Sequence, residues 1–168
     1  MNIVITGFMA SGKSTVAKEI SRLTGRTLID TDEMIAAEEG MSINEIFAQH
    51  GEKYFRTAEH NAIEKISLLD NVIISTGGGT VLDKRNIELL RKNGMIFYLD
   101  ADFSVIEERL TEAAKTRPLL RDSSIEDIRR RFEERMPYYA DCDYRVRIGK
   151  DKTPIAAARE IINAVKYY

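Results

Sequence analysis

The sequence predicts an α/β fold in three layers, a five-stranded parallel sheet with helices on both faces, and three observations support this. Short β-type runs alternate with longer helical patterns along the chain. Those runs are mostly apolar rather than alternating, as in strands covered on both faces. Three polar or glycine-rich segments directly follow three of the runs, where an open parallel sheet receives its ligands.

The elements follow in order. Ile3–Thr6 is the first strand candidate, and Ser14 to Leu23 is a helical run. Thr27–Asp30 is the second strand, with Glu33 to Glu39 as a helix after it. Ser42 with Glu45 matches a capping box, in which hydroxyl and carboxylate satisfy free backbone donors reciprocally. From Glu52 to Leu68 a helix is expected to bury Phe55, Ala58, Ala62 and Ile66, leaving Arg56 at the edge of that stripe. Val72–Ser75 and Met95–Asp100 are the third and fourth strands. Further capping boxes are expected at Ser104 with Glu107 and at Ser123 with Glu126, the second opening a helix with the stripe Ile125, Ile128 and Phe132. Tyr144–Ile148 is the fifth strand. Thr153 and Pro154 read as N-cap and first residue of a last helix, whose apolar side is Ile155, Ile161, Ile162 and Val165. The polar segment 111–124 interrupts the core pattern and is expected to be a mobile lid. With no repeat or linker, residues 1–168 are expected to form a single domain.

Bulk properties narrow the function classes. Hydrophobic residues at 43% and charged residues at 31% suit a globular domain with a real core. A formal net charge of −2 argues against nucleic acid or anionic membrane as a partner. The single cysteine, Cys142, excludes an internal disulfide and a cysteine metal cluster. No apolar stretch approaches membrane-spanning length. A cytoplasmic protein is expected, and a monomer, although ordinary amphipathic stripes without a surplus apolar patch do not by themselves fix the oligomeric state.

The most specific signal is GFMASGKST. Gly7 to Ser14 fits G-x-x-x-x-G-K-[ST] and lies between a strand-like and a helix-like run. Glycines let the backbone curl so that successive N–H groups point at phosphate oxygens, and the following helix turns its positive end to the same anion. Gly7, Ala10, Ser11, Gly12, Lys13, Ser14 and Thr15 are therefore the candidate nucleotide-binding residues, with Lys13 at the outer phosphates and the Ser14 hydroxyl on Mg²⁺. A P-loop NTPase-type sandwich that binds a nucleoside triphosphate is implied.

Other candidates stand at strand ends. In Asp30-Thr31-Asp32 two carboxylates are spaced so that, on extended backbone, both face one cleft. Asp30 is placed for the Mg²⁺ shell and Asp32 for the hydroxyls of a second substrate; plain helix capping is the alternative. Gly77-Gly78-Gly79 suits a loop against which a ligand touches main chain, or one that needs positive φ. Arg56 and Arg135 each carry a fork that fits a carboxylate, although either alone also reads as a solvated surface residue. Arg117, in TRPLLR, is placed to arrive over transferring phosphate as a lid closes. Asp100 reads as part of a helix entrance, Arg129-Arg130-Arg131 as helix-face charge, and His50 and His60 as non-catalytic.

Together GFMASGKST, LIDTD, GEKYFR, STGGGT, TRPLLR and ERMPYY resemble the shikimate kinase family, in order and spacing, as far as about Tyr139. The resemblance implies a nucleoside-monophosphate-kinase-like fold with a mobile lid, and phosphoryl transfer from MgATP to the 3-hydroxyl of shikimate. It implies Lys13, Asp32 and Arg117 as catalytic residues, Ser14 and Asp30 on Mg²⁺, and Asp32, Arg56, Arg135 and the Gly78–Gly79 backbone around shikimate. Arg109 and Pro154 match the residues that flank adenine, and Arg117 belongs to the lid.

Two other readings compete. The phosphate loop also permits a kinase of another polyol acid, such as gluconate, or of a nucleoside monophosphate. A nucleotide-dependent switch is disfavoured, because Arg91-Lys92-Asn93-Gly94 does not supply the N-K-x-D expected of a guanine-selective site.

Overall fold

The computed structural model describes residues 1–114 and 124–167. Its sheet contains β1 (Asn2–Thr6), β2 (Leu28–Asp30), β3 (Ile73–Ser75), β4 (Gly94–Ala101) and β5 (Tyr144–Ile148). The order is β2-β3-β1-β4-β5, and every pairing is parallel. β1 is fully buried because it is central, with β3 in register on one side and β4 on the other. The chain leaves β1 for one edge, returns through β3, and crosses to β4. That switch opens a crevice above the carboxyl end of β1.

The helices are α1 (Lys13–Thr24), α2 (Thr31–Glu39), α3 (Ile43–Ser67), α4 (Lys84–Lys92), α5 (Phe103–Ala114), α6 (Ile125–Tyr139) and α7 (Pro154–Lys166). α1 buries Val16, Ala17 and Ile20 and lies beside α7, while α4 lies beside α3. A large apolar cluster spans the sheet from Ile5 to Ile161; a smaller one, Ile35, Ile46, Phe55 and Ala62, binds α2 to α3. Among the described residues no helix is long and apolar enough to cross a membrane.

Most boundaries fall where the local chemistry puts them. The Ser42–Glu45 capping box is present in full, and Thr153 caps α7 with Pro154 in its first turn. Two expectations need correction. α5 begins at Phe103, one turn being closed onto Asp102 O, so Ser104 lies inside the helix and caps nothing. The cap of α6 is Ser124, whose hydroxyl accepts from Asp127 N; Ser123 is outside the described residues, and Ile125 stays 36% exposed rather than joining the buried stripe. α3 is two helices joined at a kink at Gly51, where φ is 82°, so the helix expected from Glu52 is present as the second half. Only glycine adopts that conformation cheaply, and the half after the bend carries Arg56, which lines the crevice.

Candidate active site

The phosphate loop curls through positive φ at Gly7 (154°), Ala10 (58°) and Gly12 (98°). A Cβ at Gly7 would come 2.7 Å from Ser11 Oγ and 3.1 Å from Leu99 O, so the close turn requires glycine. α1 then starts without a side-chain cap. α2, α3, α4, α6 and α7 each have one, from Asp30, Ser42, Asp83, Ser124 and Thr153. The first N–H groups of α1 are thereby left to an anion rather than to the protein's own oxygen.

Lys13 Nζ donates to Gly7 O (2.8 Å) and Phe8 O (3.0 Å) across the same loop. Burial pushes its pKa down to about 8, against the pull of Asp32 and Asp30. Ser14 Oγ donates to Asp30 Oδ2 at 3.2 Å, while Asp30 Oδ1 accepts from Asp32 N and Glu33 N. Asp30 thus both caps α2 and faces Ser14. A hydroxyl beside one carboxylate oxygen is a hard, sparse donor set that suits Mg²⁺ ligated mainly by water and phosphate. Among the described residues no group of three His, Cys, Asp or Glu forms a metal cluster.

The geometry expected for the two carboxylates needs correction. The backbone is extended only to Asp30, and Asp32 sits in the first turn of α2. The helical turn, not a shared strand face, aims Asp32 into the crevice. Its Oδ1 is buried without a protein partner. Burial, then the charges of Asp30 and Glu59, push its pKa up to about 6.

Asp32, Arg56, Arg135 and the Gly77–Gly79 backbone line one cleft of about 220 Å³, with Met9 of the phosphate loop as a neighbour and Phe47 and Phe55 as apolar wall. Arg135 lies over the Phe8 ring at 5.8 Å. Arg56 Nη1 donates to Glu59 Oε2 at 2.7 Å, and a Cβ at Gly79 would come 2.5 Å from that same Nη1. Gly78 O accepts from the Tyr139 hydroxyl, and Tyr139 stacks on Tyr98.

A second, narrower cleft brings Arg109 and Pro154 together beside Ser11 and Gly12. Arg109 Nη1 donates to Ala10 O at 2.9 Å, so the arginine braces the loop it adjoins. Thr15 and Ser14 are exposed on the first turn of α1. Arg117 and most of the proposed lid lie outside the described residues.

Asp100 belongs to β4 and not to a helix entrance. It is buried and bonds Arg147 at 2.6 Å, a structural pairing with no part in the crevice. His50 stacks on Tyr54, away from the cleft.

Sequence reasoning missed Glu59, which is 1% exposed and contacts both Arg56 and Thr80. A signal existed: with Phe55, Ala62 and Ile66 it continues the buried side of α3, and a carboxylate in such a stripe requires partners. Tyr139, quoted only as part of ERMPYY, was likewise without a role.

The family model described as shikimate kinase matches residues 9–166. The shikimate kinase of Caldicellulosiruptor bescii is 47% identical over 163 residues, covering 96% of this chain and 94% of that protein. The crystal structure of shikimate kinase from Aquifex aeolicus superimposes with a TM-score of 0.83 at 33% identity, covering 99% of this chain and 97% of that one. Shikimate kinase from Acinetobacter baumannii in complex with shikimate gives a TM-score of 0.84 at 28% identity, over 99% of this chain and 91% of that one.

Proposed function

Because the chain belongs to the shikimate kinase family and is therefore a kinase, we propose that it phosphorylates the 3-hydroxyl of shikimate with ATP, giving shikimate 3-phosphate and ADP, through the residues that line the two clefts. The observation that carries this reading is the convergence of Asp32, Arg56 and Arg135 in one cleft bordering the phosphate loop.

The nucleotide occupies the loop from Gly7 to Thr15, with adenine between Arg109 and Pro154. Loop N–H groups and the free end of α1 hold the phosphates, and Lys13 moves from its own loop carbonyls to the outer phosphate oxygens. Ser14 and Asp30 would hold Mg²⁺, which neutralises phosphate charge when bound. Arg56 and Arg135 grip the shikimate carboxylate, the Gly78 and Gly79 backbone lies against the ring, and Asp32 receives the hydroxyls on its unpartnered Oδ1.

The shikimate oxygen forms a bond to the terminal phosphorus as the bond from that phosphorus to the bridging oxygen of ADP breaks. The hydroxyl proton passes toward Asp32, whose pKa of about 6 leaves it ionised at neutral pH and able to accept. The loose transition state spreads charge over the phosphate oxygens, so positioning by Lys13 and the closing Arg117 matters more than a strong base. All the named residues belong to one chain, so a monomer suffices, and ATP supply accords with a cytoplasmic reaction.

A coupled ADP assay tests the reading. ADP release should depend on shikimate and fall sharply with gluconate or a nucleoside monophosphate. Equal turnover on gluconate, or ATP hydrolysis indifferent to shikimate, would reject it.

A further inference from the structure

Behind the cleft, a polar chain leaves α3 at Arg56 and Glu59, passes through Thr80 and Asn86, and returns to α3 at His60. Thr80 Oγ1 donates to Glu59 Oε1 at 2.6 Å, opposite the oxygen that accepts from Arg56. Asn86 Nδ2 donates to Thr80 O at 3.2 Å, which leaves Asn86 Oδ1 facing His60 Nδ1 at 2.7 Å. The imidazole therefore carries its hydrogen on Nδ1. Glu59, Thr80 and Asn86 are each no more than 1% exposed. Thr80 opens the short 3₁₀ turn Thr80–Leu82 after the three glycines, and Asn86 stands in the first turn of α4. The chain thus ties α3, the glycine loop and α4 to one carboxylate.

A buried carboxylate with one oxygen unsatisfied is costly and turns toward other donors. Arg56 also has an outer partner, the exposed Glu52 at 3.4 Å. Its fork is held inward only as firmly as Glu59 is held. We propose that Thr80, backed by Asn86 and His60, is a positioning residue for substrate-carboxylate recognition: its hydroxyl fixes Glu59, which fixes Arg56, without touching substrate. This rests on Arg56 binding the shikimate carboxylate.

The test uses steady-state kinetics on the full chain. Thr80→Val removes the hydroxyl at constant shape and should raise KM for shikimate about five- to tenfold, with kcat and KM for ATP within about twofold of wild type. Thr80→Ser, which keeps the donor, should restore wild-type KM; Thr80→Ala is read in the same way as Val should the Val protein fail to fold. In an Arg56→Met background, Thr80→Val should add less than about twofold, because the residue through which it acts is gone. An unchanged KM in Thr80→Val, equal losses in both substrates, or full additivity with Arg56→Met overturns the inference while leaving the kinase reading intact. A normal shikimate KM in Arg56→Met alone overturns the assignment of Arg56, and this inference with it.

Discussion

The guanidinium of Arg56 fills the space that a side chain on Gly79 would need: a Cβ there would lie 2.7 Å from Arg56 Cζ. The last of the three glycines is thus explained by an arginine rather than by its own backbone, since its φ of −101° is open to any residue. Gly79→Ala should push Arg56 out of the cleft. Initial-rate kinetics are expected to show KM for shikimate raised at least about tenfold, with KM for ATP near wild type. A loss shared equally between the substrates would mean that the loop, not the arginine, was disturbed.

Asp32 sets function against stability. Its folded pKa of about 6 lies above the ordinary 3.8, so the folded state favours the proton. Stability therefore falls as pH rises from about 4 through 6, and the cost is fully present at neutral pH. Asp32→Asn should raise the unfolding free energy of metal- and nucleotide-free protein by about 1–2 kcal/mol at pH 7, discounted for the open side of the cleft. The gain should vanish below about pH 4, and kcat should collapse. Denaturant titrations at the two pH values measure the first effect. A destabilised Asn variant at pH 7 would contradict it.

Lys13 presents the same trade from the cationic side. Burial holds its pKa near 8, so its charge is kept at a cost. Lys13→Met should leave the denaturation midpoint equal or higher while turnover drops on the order of 10²-fold or more. Arg117→Ala is expected to lower kcat with little change in stability. Near-normal turnover in either purified variant would remove that residue from the catalytic set.

Tyr139 anchors the glycine loop from below. Burial pushes its pKa up to about 12, so the hydroxyl remains a donor to Gly78 O at any working pH. Tyr139→Phe keeps the stacking on Tyr98 but frees that carbonyl. A stability loss of about 1 kcal/mol and a several-fold rise in KM for shikimate are expected, read by thermal unfolding and kinetics. Loss of stability with an unchanged KM would reduce Tyr139 to a packing residue.

Legibility followed distance along the chain. The phosphate loop was readable because its chemistry is contiguous: glycine, lysine and serine lie within eight residues and the backbone itself binds. Thr153 with Pro154, and Ser42 with Glu45, were readable for the same reason. Ser104 misled because a capping pattern is short and Asp102, two residues earlier, occupies the position. Asp32 was assigned to the cleft although its supposed extended geometry was wrong, since a strand end and a helix start both project side chains beyond the sheet. Glu59 was missed because its meaning depends on Thr80, 21 residues away.

The linear chain alone determined the α/β alternation, the nucleotide loop and the residue types around the cleft of Asp32, Arg56 and Arg135, since periodicity, glycine and capping act over a few residues. Tertiary structure decided the strand order, the meeting of α2, α3, α6 and the glycine loop around one cleft, and the buried partners of Glu59. Those depend on packing between distant segments, where burial turns ordinary polar side chains into obligatory partners.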